Sequence, residues 1–180
     1  MSLPPNKNLL KEFPNPVYVE SGVWRGDSIQ QAIDAAFQTI IGIDNDQECI
    51  DFCFDRFTLV QHLKHHINLN KGDSATDLWP LIKFIDKPIT FFLDAHWQIL
   101  EGTEKGKYPF PLMMELGQIA KHPIKKHTII IDDILYLTHP DITGWTLSDI
   151  IRQIQYINPD YQTKLIANPV INNMLVAWIP

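Results

Sequence analysis

The sequence predicts a single-domain α/β protein with a doubly wound, mostly parallel sheet of seven strands. Three observations predict this fold. Short apolar runs rich in β-branched residues alternate with segments of helical periodicity along most of the chain. Several runs end in an acid, at the strand ends where open α/β sheets bind ligands. The last two runs are joined by too few residues for a parallel crossover, so we expect the chain to close on an antiparallel hairpin.

Composition narrows the class of protein. The 180 residues fit one domain with a substantial core, and we divide them into an irregular, proline-containing lead-in over 1–15 and the α/β domain over 16–180. The net charge of −6 argues against nucleic acid as a partner, because non-specific binding to phosphates depends on clustered Lys and Arg. The absence of a long apolar run and of a secretory signal predicts a cytoplasmic protein that does not enter a membrane. Cys49 and Cys53 are expected to be buried thiols.

Periodicity and breaker residues give the order of the elements. The expected strands cover 17–19, 39–44, 65–69, 89–93, 128–131, 162–167 and 174–179. The expected helices cover 28–37, 47–57, 75–85, 111–121 and 146–157. We expect Phe54 to face the core from the second helix, and Thr146 to cap the last one in a T-x-x-D pattern.

Acidic residues follow the predicted strands at successive positions along one edge of the sheet. They are Glu20, Asp44, Asp94 and the pair Asp132 and Asp133, and the turn after the third strand adds Asp73. Acids at five successive strand ends or following turns predict a ligand site, although Asp73 and Ser74 could equally well cap a helix. Gly22 precedes Asp44 by about the 20 residues that separate a nucleotide-binding glycine turn from its ribose-binding acid, so an adenosine-containing cofactor is indicated.

One string within this pattern resembles a known family. E-S-G-V-W-R-G, at 20–26, is similar to the first motif of class I S-adenosylmethionine-dependent methyltransferases, and G-V-W-R-G is nearly identical to the string of the macrocin O-methyltransferase-like family. I-G-I-D, G-D-S, I-I-I-D-D and the terminal hairpin fall where that superfamily has them. The resemblance implies a Rossmann-like fold and S-adenosylmethionine as cofactor.

The resemblance also implies roles for individual residues in binding the cofactor. Glu20, Gly22 and Gly26 would shape the pocket for the methionine part, and Asp44 would bind the ribose hydroxyls. The remaining candidates lie near the adenine or flank the cofactor turn, and they are Asp73, Ser74, Trp24 and Ser28.

A second set of residues resembles a metal site. L-D-A-H-W and I-I-I-D-D are similar to the paired metal-binding segments of catechol-type and macrocin-type O-methyltransferases, which implies Asp94, Asp132 and Asp133 as ligands of Mg²⁺ or another divalent cation. His96 stands where macrocin-type relatives generally have an acid. It is therefore either a weaker ligand, a sign that the ion is different or absent, or a catalytic base next to Asp94.

The first hypothesis for the function is O-methylation of a small molecule or sugar, with or without a divalent cation. A cofactor-binding relative with hydroxylase-like chemistry and an inactive nucleotide-binding module are the alternatives. The partner we expect is a small-molecule acceptor. Because the N-terminal part is shorter than in many relatives, the acceptor site is either open or completed by a second subunit of a homo-oligomer. Glu115 is either a supporting partner of the site or an exposed carboxylate, and the loop 98–110 is either a lid or an ordinary solvent loop.

Overall fold

The computed structural model describes residues 4–61, 65–96, 107–167 and 173–180, with the side chains of 59–61 left out. The strands are β1 Val17–Ser21, β2 Thr39–Asp44, β3 His66–Lys71, β4 Ile89–Leu93, β5 Thr128–Ile131, β6 Gln162–Ile166 and β7 Met174–Trp178. The helices are α1 Lys7–Glu12, α2 Asp27–Asp34, α3 Gln47–Gln61, α4 Ser74–Ile82, α5 Leu112–Ile119, α6 Ile134–Leu137 and α7 Leu147–Ile157. Residues 98–106 of the loop predicted as a lid lie outside the described residues. So do residues 168–172, between β6 and β7.

The seven strands form one sheet in the order β3-β2-β1-β4-β5-β7-β6. Strands β1 to β5 run parallel, and β7 lies antiparallel between β5 and β6. The predicted fold, including the antiparallel hairpin, is therefore confirmed. The strand order reverses between β1 and β4, and at such a point an open sheet leaves a crevice beyond its carboxyl ends.

Successive side chains of β1 point to opposite faces of the sheet and so divide the core in two. Val17 and Val19 belong to the apolar cluster that includes residues of α4, α5 and α7, whereas Tyr18 belongs to the cluster of α1, α2 and α3. The same alternation continues to the end of the strand. Glu20 consequently faces the α2 side of the sheet, and Ser21 faces the α5 side.

The lead-in expected to be irregular contains a helix, so that prediction is wrong for 7–12. The Asn6 side chain accepts hydrogen bonds from the amides of Asn8 and Leu9 and thereby caps α1. Leu9 and Leu10 are buried in the core. The prolines misled the sequence argument because they lie on both sides of this short helix and leave its interior intact.

Three details of the other helices differ from expectation. Phe54 is 54% exposed, since the inner face of α3 is formed by Ile50, Cys53 and Phe57. Helix α2 ends at Asp34 because Ala36 takes a left-handed conformation (φ 69°) that turns the chain toward β2. Helix α6, directly after β5, was not predicted.

The expected cap of the last helix is present, since Thr146 and Asp149 form a reciprocal capping box at the start of α7. Within the described part of the chain, no helix is both long and apolar enough to cross a membrane. Cys53 is buried and Cys49 half-buried, and burial raises the pKa of both thiols to about 12, which keeps them in the less reactive protonated form.

Candidate active site

The turn after β1 is wound so tightly that three of its residues have positive φ. Gly22 (80°), Trp24 (44°) and Gly26 (76°) alternate along the segment. A Cβ on Gly22 would lie 2.6 Å from the carbonyl oxygen of Asp94, so only glycine fits between the ends of β1 and β4. Gly26 packs in a similar way against α3, where a Cβ would lie 2.7 Å from the ring of Phe57.

Trp24 occupies the middle position of this turn, where a bulky residue with positive φ is uncommon. Its backbone is held from two sides. The Trp24 amide donates to Asp44 Oδ2 over 2.9 Å, and its carbonyl oxygen accepts a hydrogen bond from the Cys53 thiol at 3.3 Å. The turn thus keeps the conformation that glycine adopts most readily, although it carries an indole.

Asp44 closes the same turn from the end of β2. Its Oδ2 accepts from Trp24 and its Oδ1 accepts from the Asp46 amide at 2.9 Å. Burial raises the pKa of the Asp44 carboxyl, and the hydrogen bonds from these amides oppose that shift. Each carboxylate oxygen has a second lone pair, so Asp44 can also accept from the hydroxyls of a ligand.

Glu20 lies beneath the turn, and its side chain is completely buried. Its Oε1 accepts a hydrogen bond from the hydroxyl of Ser28 in α2. Burial raises the pKa of Glu20 to about 8, which keeps the carboxyl protonated at neutral pH. Glu20 and Ser28 therefore join β1 to the first turn of α2 and shape the cofactor turn from below.

Asp73 caps α4, which is one of the two roles, ligand binding or helix capping, that the sequence left open for it. Its Oδ1 accepts from the Ala75 amide at 3.0 Å, and its own amide donates to Asp77 at 3.0 Å. Ser74, the first residue of the helix, is buried next to Glu115. The Asp73 carboxylate and the Ser74 hydroxyl thus both have partners within the protein.

At the ends of β4 and β5, two aspartates face the two ring nitrogens of one histidine. His96 Nε2 lies 2.9 Å from Asp133 Oδ2, and His96 Nδ1 lies 3.5 Å from Asp94 Oδ1. Among the described residues these three side chains form a group whose ligand atoms all lie within 4.8 Å of one another. A metal ion bound there would meet two carboxylate oxygens and an imidazole nitrogen.

Asp132 does not belong to this group. It is 1% exposed, and its Oδ1 accepts from the amide of Asp133 at 2.9 Å. The sequence argument proposed Asp94, Asp132 and Asp133 as the converging acids, whereas the structure brings Asp94 and Asp133 together around His96. The carboxylate of Asp133 faces His96 Nε2 at 2.9 Å, and that of Asp132 faces the Asp133 amide.

A small pocket lies beside this group, between the end of β4 and the helices α5 and α6. Its volume is about 10 Å³, which is room for one water molecule, and its lining includes Leu93, His96, Leu112, Glu115 and Leu137. Glu115 is 1% exposed, and burial raises its pKa to about 7, opposed by the nearby hydroxyls of Ser74 and Ser21. Glu115 is thus a buried member of the site and not an exposed carboxylate.

Solved structures with the same arrangement of helices and strands include several methyltransferases. An O-methyltransferase from Bacillus cereus in complex with SAH superimposes with a TM-score of 0.68 at 12% identity, covering 97% of this chain and 78% of that one. A TehB-like SAM-dependent methyltransferase from Corynebacterium glutamicum gives a TM-score of 0.58 at 12% identity over 98% and 86% of the two chains. This chain has the fold of S-adenosylmethionine-dependent methyltransferases.

The similarity extends to a chain of nearly the same length. A proposed rRNA methylase from Clostridium thermocellum matches with a TM-score of 0.64 and 11% identity over 98% of both chains. No family model matches the sequence, and no curated protein matches it either. The similarity to solved methyltransferases is therefore much clearer in the arrangement of helices and strands than in the amino-acid sequence.

Within the methyltransferase fold, the predicted residues fall into two groups. Gly22, Trp24, Gly26 and Asp44 come together at the ends of β1 and β2, supported by Glu20 and Ser28 from below. Asp94, His96 and Asp133 come together at the ends of β4 and β5. The two groups meet where Gly22 touches the backbone of Asp94.

Sequence reasoning missed Asn173, which fixes the orientation of Asp133. Its Nδ2 donates to Asp133 Oδ1 at 2.5 Å, and its Oδ1 accepts from the Leu135 amide at 2.6 Å. Tyr136 was also missed, although its ring lies 5.5 Å from that of His96. Neither residue belongs to a motif, and Asn173 reaches the site from a segment 40 positions away from its partner in the sequence.

Proposed function

We propose that this protein is an S-adenosylmethionine-dependent methyltransferase that methylates a hydroxyl oxygen of a small molecule or sugar. The observation that carries the proposal is the contact between Gly22 and Asp94, where a Cβ would lie 2.6 Å from the Asp94 carbonyl. This contact places the turn expected to bind the methyl donor directly against the His96 group. We call the turn 22–26 with Glu20 and Asp44 the donor half, and Asp94, His96 and Asp133 the acceptor half.

The donor half offers the groups that an adenosine-containing cofactor requires. Asp44 has lone pairs left for the ribose hydroxyls, and helix α2, which starts next to the turn, has a first turn of the kind that binds carboxylates. The start of α4, with Asp73 and Ser74, lies on the side proposed for the adenine. The fold shared with an SAH-bound O-methyltransferase supports this assignment.

In the acceptor half, His96 is proposed to take the proton from the attacking hydroxyl. The oxygen attacks the methyl carbon, the carbon–sulfur bond breaks, its electrons stay on sulfur, and the hydroxyl proton must move to a base. In this proposal His96 Nε2 carries a hydrogen that Asp133 Oδ2, 2.9 Å away, accepts, and Nδ1, 3.5 Å from Asp94 Oδ1, takes the proton of the hydroxyl. Both carboxylates then stabilise the positive charge that develops on the ring.

A divalent cation is the alternative to proton transfer by His96, because a His96 nitrogen that binds a metal cannot also take the proton. The donor atoms of Asp94, His96 and Asp133 would hold it, because two carboxylates and an imidazole suit first-row transition metals better than Mg²⁺, which prefers oxygen ligands. When bound, such an ion would supply positive charge for the oxygens of the acceptor. The cytoplasmic location, the small-molecule acceptor, the homo-oligomer and the relation to the macrocin-type subfamily also remain part of this proposal.

Calorimetric titration tests the donor half. We expect S-adenosylmethionine to bind the full chain, and Asp44→Asn to weaken binding about 10- to 100-fold, because charge-assisted hydrogen bonds to the ribose are lost. Asp55→Asn changes an exposed carboxylate on α3 and should leave the affinity unchanged.

If the unchanged protein shows no heat of binding at millimolar cofactor, the methyltransferase assignment is wrong. The same outcome would favour the nucleotide-binding alternative if ATP or NAD bound instead. Binding without transfer of a labelled methyl group to any of a set of alcohols and sugars would favour the hydroxylase-like alternative. Turnover that persists in EDTA would remove the cation from the proposal.

A further inference from the structure

A glutamine of α5 reaches into the first turns of α4, and the reaction described above has no role for it. Gln118 is buried, and its Oε1 accepts a hydrogen bond from the amide of Trp79 at 2.7 Å. Its Nε2 donates to the carbonyl oxygens of Ser74 at 2.7 Å and Ala75 at 2.9 Å. Both ends of one side-chain amide are therefore bonded to the backbone of a neighbouring helix.

Two of the backbone groups that Gln118 contacts are spaced like partners within an α-helix. Trp79 follows Ala75 by four residues, which is the separation of an amide from the carbonyl that it bonds in a helix. Pro80 comes next inside α4, where it has no amide hydrogen to donate and its ring crowds the carbonyl four residues before it. The proline weakens the regular hydrogen bonding of α4 at this point, and Gln118 supplies bonds from outside the helix.

The carbonyl groups held by Gln118 belong to the part of α4 that is proposed to lie beside the adenine. Ser74 is the first residue of the helix, and Asp73, directly before it, caps the helix through the amide of Ala75. A carboxylate has about four lone pairs, so Asp73 can also accept a hydrogen bond from an amine of a ligand. The position of this carboxylate depends on the same turn that Gln118 holds.

Helix α5 can hold the start of α4 in place because the two helices share one apolar cluster. Leu116 and Ile119 of α5 and Leu78 and Ile82 of α4 are fully buried in it. Apolar packing keeps two helices together but permits small sliding movements between them, whereas hydrogen bonds are directional. Gln118 is therefore the side chain that can fix where α4 begins relative to α5.

We propose that Gln118 is a positioning residue for the cofactor, and that it fixes the start of α4 so that the Asp73 carboxylate recognises the amine of the adenine. The proposal rests on the S-adenosylmethionine-dependent function proposed above. It goes beyond that function by assigning selectivity for the base to a buried side chain that acts through a helix.

Two ligands that differ only at the base test the proposal. S-adenosylhomocysteine carries the amine, and S-inosylhomocysteine carries in its place a carbonyl oxygen, which cannot donate a hydrogen bond to a carboxylate. In calorimetric titrations of the full chain, the adenosine compound should bind about tenfold more tightly. Gln118→Met has a side chain of similar length without the amide, so its affinity for S-adenosylhomocysteine should fall about tenfold and the preference between the two compounds should disappear.

A second variant and two controls separate positioning from stability. Gln118→Glu keeps an oxygen for the amide of Trp79 but has at most one hydrogen to donate, so it should lose only part of the preference. Gln155→Met makes the same substitution at an exposed position of α7 and should behave like the unchanged protein. Thr146→Ala removes the cap of α7, and it should lower the midpoint of thermal unfolding without altering the preference.

Several results would overturn the proposal. They are equal affinities of the two compounds for the unchanged protein, a full preference in folded Gln118→Met, and a loss of affinity by the same factor for both compounds, which a merely structural role would produce. If Gln118→Met does not fold, an undiminished preference in Gln118→Glu has the same meaning. Failure of the proposed function looks different, because S-adenosylhomocysteine would then not bind the unchanged protein either, and both proposals would be wrong together.

Discussion

The donor half and the acceptor half are formed at the same edge of one sheet, but different kinds of contact hold them. In the donor half, Asp44 accepts hydrogen bonds from the backbone amides of Trp24 and Asp46. In the acceptor half, His96 and Asp133 are positioned by each other's side chains. Backbone amides thus hold part of the donor half, which has a tryptophan at a position suited to glycine, whereas the contact between His96 and Asp133 in the acceptor half joins two side chains.

Replacing His96 should therefore cause the largest loss of activity. His96→Gln removes the proposed base and is expected to lower the rate of methyl transfer about 100- to 10,000-fold, the usual contribution of a general base. The affinity for S-adenosylmethionine should stay the same, because the donor half does not contain His96. Initial rates at saturating cofactor, with calorimetry on the same samples, measure both quantities.

The matched control for this change is His139→Gln, which alters an exposed histidine after α6. It should leave both rate and affinity unchanged. Full turnover in His96→Gln would show that the base is another group, and a parallel loss of cofactor affinity would show that the two halves are not separate.

Glu20, the buried acid of the donor half, should make the free energy of unfolding depend on pH. Its pKa is raised from 4.5 to about 8 in the folded protein, so its contribution is fully present below the unfolded pKa and is lost as pH rises through the folded one. Between about pH 5 and about pH 8 the free energy of unfolding should fall by about 4 kcal/mol on this account. Urea denaturation across that range in the unchanged protein and in Glu20→Gln gives the difference.

In Glu20→Gln the total decline should be smaller by this amount, and the part that remains should come from Glu115, whose pKa is raised to about 7, and from Asp44, whose pKa is also raised. Glu12→Gln keeps both buried acids and should reproduce the original slope. Identical slopes in the unchanged protein and in Glu20→Gln would mean that Glu20 is ionised in the folded state.

The contact that joins the halves is tested by a pair of glycine substitutions. Gly22→Ala forces a Cβ to within 2.6 Å of the Asp94 carbonyl at a φ of 80°, and should destabilise the protein by about 2–4 kcal/mol. Gly117→Ala, in the interior of α5 with open space around it, should instead stabilise it by about 0.5–1 kcal/mol. Equal midpoints of thermal unfolding for the two variants would contradict the close approach of β1 and β4.

Most of the fold could be predicted from the sequence because strands buried on both faces leave a clear record. The runs 39–44, 89–93 and 128–131 agree with the observed β2, β4 and β5. Helix α1 was not predicted because it is short and lies between prolines, with Asn6 as its cap. Phe54 was wrongly assigned to the core because apolar residues cover more of α3 than the face that packs inward.

The convergence of Gly22, Trp24, Gly26 and Asp44 could also be predicted, because these residues are close in sequence or separated by one βα unit. The acceptor half was predictable only in part. Strand ends indicate which acids share an edge, but not which of two adjacent aspartates turns toward His96. That choice is linked to the left-handed conformation of Asp133 (φ 50°) and to its contact with Asn173.

Replacing Asn173 therefore tests how far the acceptor half depends on the side chains around it, and its expected effect is the smallest of those considered. Asn173→Ala leaves the Leu135 amide and Asp133 without their partner, which should cost about 1–2 kcal/mol of stability. Because Asp133 then loses the side chain that orients it against His96, the rate of methyl transfer should fall about tenfold while cofactor affinity stays unchanged. A loss of stability without a loss of rate would show that Asp133 keeps its orientation against His96 without Asn173, and the acceptor half would then depend less on this side chain than its geometry indicates.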